Sequence, residues 1–129
     1  MIVKGRPKIS IDLRKGVYFL DPLPSTGKSY LAEELASRVV DDSSIYVEMY
    51  KNGSHIDFGD KNRATILIFD RLDMYFNSKI AKFIVEKSRG ATVLLDLKDM
   101  NLMVKYLKDT YADIANVEFD DQEIRVGDL

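Results

Sequence analysis

The residues best suited to chemistry in this chain fall at three places, and all three suit phosphate. Gly27-Lys28-Ser29 brings together a residue without a Cβ, a mobile cation and a hydroxyl. Gly27 lets the backbone approach a phosphate closely. Lys28 can neutralise charge on β- and γ-phosphates, and the Ser29 hydroxyl can ligate magnesium. Asp70 ends the apolar run ATILIFD at 64–70, and Asp96 ends a second run, ATVLLD, at 91–96. A carboxylate at the C-terminal end of a strand lies where open α/β sheets bind ligands, and there it can hold the water shell of a magnesium ion. Asp73 follows closely enough to act as a base if the turn after Asp70 aims it back.

Local elements are expected to position these groups. Val17, Tyr18, Phe19 and Leu20 form a short apolar run rich in aromatic and β-branched residues, which predicts a buried strand. Leu31, Ala32, Leu35, Ala36 and Val39 recur at helical spacing, so the Gly-Lys-Ser triplet stands between a strand and a helix. Successive N–H groups there can form an anion nest, reinforced by the positive end of the helix. Ile66–Phe69 reads as a strand buried on both faces.

The stretch GVYFLDPLPSTGKSYLAEEL at 16–35 resembles the phosphate loop of P-loop NTPases in its AAA-type form, GPPGTGKS. Pro24, Thr26, Gly27, Lys28 and Ser29 match that form position for position. Pro22 and Ser25 stand where that family has glycines. The resemblance implies ATP and Mg2+ as cofactors, with Ser25, Thr26, Gly27, Lys28, Ser29 and Tyr30 contacting the nucleotide. It implies Ser29 and Asp70 as the magnesium-side residues, with Asp96 as the rival carboxylate, and Lys28 and Asp73 as the candidate catalytic residues. In hydrolytic AAA-type enzymes a glutamate follows the aspartate, whereas here it is Arg71, which cannot serve as a base. The expectation is therefore an ATP-binding domain with weak or partner-dependent ATPase activity. The alternative is a degenerate P-loop scaffold acting through protein partners without hydrolysis. Arg89, before Gly90, is the candidate arginine finger. A kinase fits less well, because 71–90 reads as one plain helix with no lid. A GTPase fits less well still, because Asp70–Asp73 and Asp96–Asp99 lack the guanine and switch motifs.

Composition narrows the class. The chain has 129 residues, 46% hydrophobic and 31% charged, which suits a single domain, 1–129, with one packed core. Net charge is −2, so no global basic field invites nucleic acid or an anionic membrane, and nucleic acid is not an expected partner. Expected partners are the nucleotide and a protein partner or second copy. The absence of cysteine excludes thiol chemistry and disulfides, and the single histidine, His55, excludes a histidine-rich metal site. No apolar run approaches the roughly 18 residues of a membrane span, and the cytoplasm is the expected compartment.

In chain order, Ile9, Ile11 and Leu13 alternate with polar residues as in a half-buried strand, which the turn at Arg14-Lys15-Gly16 is expected to lay antiparallel against 17–20. Ile45–Tyr50 is a further strand, with an Asn-Gly turn at 52–53 and a return arm through His55. Helices are expected from Met74 to Gly90 and from about Asn101 to Ala112, followed by a terminal hairpin over 116–126. The assembled expectation is an α/β fold: a three-layer P-loop-type sandwich with a mainly parallel sheet, an antiparallel edge strand and a C-terminal hairpin.

Overall fold

The computed structural model describes residues 1–21, 28–39, 41–49, 63–120 and 122–128. Eight strands form one mixed sheet: β1 (Ile2–Val3), β2 (Lys8–Asp12), β3 (Gly16–Leu20), β4 (Ile45–Glu48), β5 (Ile66–Phe69), β6 (Thr92–Leu95), β7 (Ala112–Phe119) and β8 (Glu123–Asp128). Their order across the sheet is β1-β2-β8-β7-β3-β6-β5-β4. The run β7-β3-β6-β5-β4 is parallel throughout, in the register Phe19–Leu95–Phe69–Glu48 across β3, β6, β5 and β4. Helices α1 (Lys28–Ala36), α2 (Ser78–Lys87) and α3 (Asn101–Val104), with a 3-10 turn at Leu72–Met74, complete the described elements.

The two halves of the sheet bury themselves differently, and their sequences say why. Every residue of β3, β5 and β6 is buried, as continuous apolar strands covered on both faces must be. Tyr18, Leu20, Ile66, Ile68 and Leu94 face one core with Leu31, Ala32 and Leu35 of α1. Val17, Phe19, Leu67, Phe69, Val93 and Leu95 face a second core with Ile80, Ala81 and Ile84 of α2, Leu72 and Met103. Asn77 starts α2 by accepting a hydrogen bond from the Ile80 N–H at 2.9 Å. In β2, β7 and β8, by contrast, burial alternates, with Ile9, Ile11, Ala115, Val117, Ile124 and Val126 turned inward. That half has one wet face and needs no second helical layer.

The three-layer sandwich is therefore not what forms. The sheet curls into a half-barrel, and the inward residues of β1, β2, β7 and β8 join the core under α1. The described helices are 9, 10 and 4 residues long, too few to layer both faces of eight strands. The expected antiparallel pairing of Ile9–Leu13 with β3 also fails. β3 is already flanked by β6 and β7: the Gly16 N–H donates to Ala91 O at 3.0 Å and the Val17 N–H to Tyr111 O at 2.9 Å. β2 instead runs parallel to β8, and only the two residues of β1 pair with it antiparallel. The helix expected to Ala112 stops at Val104, because 112–119 is drawn into the sheet as β7. The helix expected from Met74 is a 3-10 turn followed by α2. The Asn-Gly turn and His55 lie outside the described residues.

Candidate functional site

Parallel strands place all their C-terminal ends at one edge of the sheet, and at this edge four of them end in carboxylates. In spatial order these are Asp21 after β3, Asp96 after β6, Asp70 after β5, and Glu48 closing β4. Asp70 is the most enclosed, with 4% of its surface exposed. Its backbone N–H donates to Glu48 O at 2.8 Å, which extends the β4–β5 pairing by one residue. The Tyr75 hydroxyl donates to Asp70 O at 2.7 Å and approaches Glu48 O at 3.3 Å. Burial keeps that phenol protonated far above its ordinary range, so it acts as a fixed donor that pins the ends of β4 and β5.

The chain then turns sharply. Arg71 adopts a left-handed conformation, with φ 50° and ψ 48°, which costs a non-glycine residue about 1 kcal/mol or more. The turn is held from the neighbouring strand end. Asp96 receives the Arg71 N–H on Oδ2 at 3.3 Å, and its backbone oxygen receives the Leu72 N–H at 2.8 Å. Asp96 in turn donates its own N–H to Phe69 O at 2.9 Å. β5, the turn and the end of β6 thus form one hydrogen-bonded unit.

Electrostatically, this unit holds a carboxyl that is not ordinary. Burial pushes the Asp70 pKa up to about 6, and the hydrogen bond and charge of Asp96 push in the same direction; Arg71 opposes them weakly. Glu33 of α1 adds to the upward pressure, so α1 lies within electrostatic reach of Asp70. The Asp70 Oδ1 atom is buried and has no hydrogen-bond partner among the described residues. A buried acceptor in that state costs about 1–3 kcal/mol. A cation at this position would satisfy it.

Of the residues expected from the sequence to act here, Asp70 and Asp96 are brought together at adjoining strand ends. Ser25, Thr26 and Gly27 lie outside the described residues; Lys28 and Ser29 form the first turn of α1, with their side chains outside the description. Tyr30 is 40% exposed on α1, and its ring meets that of Phe119, itself 51% exposed, edge to face at 6.1 Å. Asp73 is exposed on the 3-10 turn. Arg89 and Gly90 precede β6 and so sit at the opposite edge of the sheet from Asp70. Sequence reasoning did not find Tyr75 or Phe119. Tyr75 carried no signal beyond following Asp70 by a helical turn, and Phe119 is an aromatic at the tip of a strand whose neighbours only the fold reveals.

No family model matches the sequence, and no curated protein is detectably similar to it. No helix among the described residues is long and apolar enough to cross a membrane.

Proposed function

We propose that this chain binds ATP with Mg2+ at the edge of the sheet where β3, β5 and β6 end, and that it is a weak ATPase. The observation that carries this reading is Asp70: a nearly enclosed carboxyl with an unpartnered oxygen, hydrogen-bonded to Asp96, whose strand β6 lies between β5 and β3, the strand that precedes Gly27-Lys28-Ser29 in sequence. Asp70 is buried and crowded by the half-buried Asp96, which disfavours two negative charges unless a cation is present. Ser29 and Asp70 would hold Mg2+, whose chemistry is to neutralise charge on the β- and γ-phosphates. Lys28 and the first N–H groups of α1 would receive the phosphate oxygens. Tyr30 and Phe119 offer exposed ring surface near the start of the same helix, suited to stacking a base.

Arg71 favours binding over hydrolysis. It occupies the place of a catalytic glutamate, in a conformation fixed by Asp96 and Leu72, and a guanidinium cannot take a proton from water. A second reading, a nucleotide-independent scaffold acting through protein partners, rests on the same residue.

Calorimetric titration with ATP, with and without magnesium, separates the two. Binding that needs magnesium and weakens about ten- to a hundredfold in Lys28→Ala supports the first reading, as expected for one charge-assisted phosphate contact. Equal affinity in wild type and Lys28→Ala removes the phosphate loop from consideration. No binding at millimolar ATP transfers the argument to the scaffold.

A further inference from the structure

The sheet edge opposite the carboxylates carries the reverse charge. Arg14 and Lys15 lead into β3, Arg89 ends the α2 turn before β6, and Lys108 lies on the approach to β7. Lys15, Arg89, Lys108 and Tyr111 line a cavity of about 310 Å³. Arg89 is shared with an adjoining cavity of about 280 Å³ that Lys82 and Tyr106 also line. Arg14 lies over the Tyr111 ring, its Cζ 5.1 Å from the centroid, and Lys105 over the Tyr106 ring, its Nζ 4.9 Å away. None of these six cations is held in an ion pair among the described residues. Four carboxylates interrupt them: Glu86 and Asp109 line the cavities, Asp113 accepts the Tyr111 hydroxyl at 3.3 Å, and Asp128 lies within electrostatic reach of Arg14.

We propose that this edge binds single-stranded nucleic acid, with its phosphates on the cations and its bases against Tyr106 and Tyr111. The pattern carries the choice of ligand. A lone phosphate needs one tight nest, whereas here cations spread over two adjoining cavities and alternate with tyrosines. That is the arrangement that tracks a backbone and stacks successive bases. A duplex would keep its bases stacked out of reach of the rings and would call for an element projecting into a groove, which this edge lacks among the described residues. The whole-chain charge of −2 hides the surface, because Asp21, Glu48, Asp70, Asp73 and Asp96 lie at the other edge. Arg89, expected from the sequence as an arginine finger, finds a use here within its own chain.

The test is fluorescence anisotropy of a labelled oligo-dT and an oligo-U of about 20 nucleotides, with the full chain at 50 and 200 mM salt. Micromolar binding that weakens about fiftyfold over that range is expected if four phosphates are neutralised. Lys15→Glu with Lys108→Glu should weaken it at least tenfold, and Tyr111→Ser about five- to a hundredfold. Both substitutions are at exposed positions, and thermal melting checks that each variant stays folded. If Tyr111→Ser unfolds, the double charge reversal alone decides. Heparin and vesicles with anionic lipid are the comparison arms. Heparin bound as tightly as oligo-dT and indifferent to Tyr111→Ser would overturn the proposal, leaving a general polyanion surface. Preference for vesicles or for duplex, absence of oligonucleotide binding at 50 mM salt, or binding untouched by the charge reversal would overturn it as well.

Discussion

Asp70→Asn should make the protein more stable near neutral pH while weakening its grip on magnesium-nucleotide. Folding lifts the Asp70 pKa from its ordinary 3.8 to about 6. Between those values the folded chain holds a proton that the unfolded chain has released. The contribution of this group to stability is therefore complete below pH 4 and is lost as pH rises through 6. A shift of this size corresponds to about 2–3 kcal/mol at pH 7.5, removed when the charge is removed. Asparagine keeps the shape and can donate to the Asp96 carboxylate as the shared proton did. In a chain of this length the gain would appear as a rise in Tm of about 6–10 °C. Urea unfolding of both proteins at pH 4.5, 5.5, 6.5 and 7.5, without nucleotide or metal, gives the comparison. The stability difference should be small at pH 4.5 and widen with pH, while calorimetry with Mg-ATP shows weaker binding by the variant. An Asp70→Asn protein less stable than wild type at pH 7.5, or a difference that does not change with pH, would refute the account of Asp70 as a strained, cation-seeking carboxyl.

The remaining expectations concern hydrolysis and the start of β3. Steady-state turnover by the isolated chain should stay far below about one per second, and Asp73→Asn should leave it unchanged, because Asp73 is exposed on its 3-10 turn; turnover near one per second that disappears in Asp73→Asn would make Asp73 the base. Gly16→Ala should destabilise by about 1–3 kcal/mol in urea unfolding, since Gly16 has φ +143° and an added Cβ would meet Tyr111 Cδ1 at 2.8 Å and Tyr111 O at 3.2 Å. An alanine variant as stable as wild type would mean that Tyr111 moves aside freely.

What could be read in the sequence was local. The apolar runs at 17–20, 66–69 and 92–95 are strands buried throughout, and Asp70 and Asp96 stand where those runs end. The helical spacing of Leu31, Ala32 and Leu35 is the face α1 buries. What could not be read was which strand lies beside which. Ile9 and Ile11 declare one buried face, yet nothing near them in sequence names β8 as the neighbour; that pairing is decided when β6 and β7 occupy both sides of β3. The stretch 101–112 misled because Leu102, Met103, Tyr106 and Leu107 fit a helical face. Only Leu102 and Met103 lie in α3, and all four pack on the second core from a short helix and its following turns. At the site, Asp70 and Asp96 could be picked out from their types and positions, whereas Asp21 and Glu48 could not. The Tyr75 bridge and the Tyr30–Phe119 contact were not legible either, since each joins residues that only the fold brings together.

The position of β3 has a consequence for how the chain comes into being. Both strands that flank it, β6 and β7, are made after it, and β2 waits for β8, the last strand described. During synthesis, the strand that leads into Gly27-Lys28-Ser29 emerges with its two edges bare and stays so until most of the chain has left the ribosome. Pairings this distant in sequence are slow to form and leave apolar strand edges open to other chains meanwhile. β3 is thus written early and paired late, and an amino-terminal portion ending before β7 leaves it with one edge unpaired.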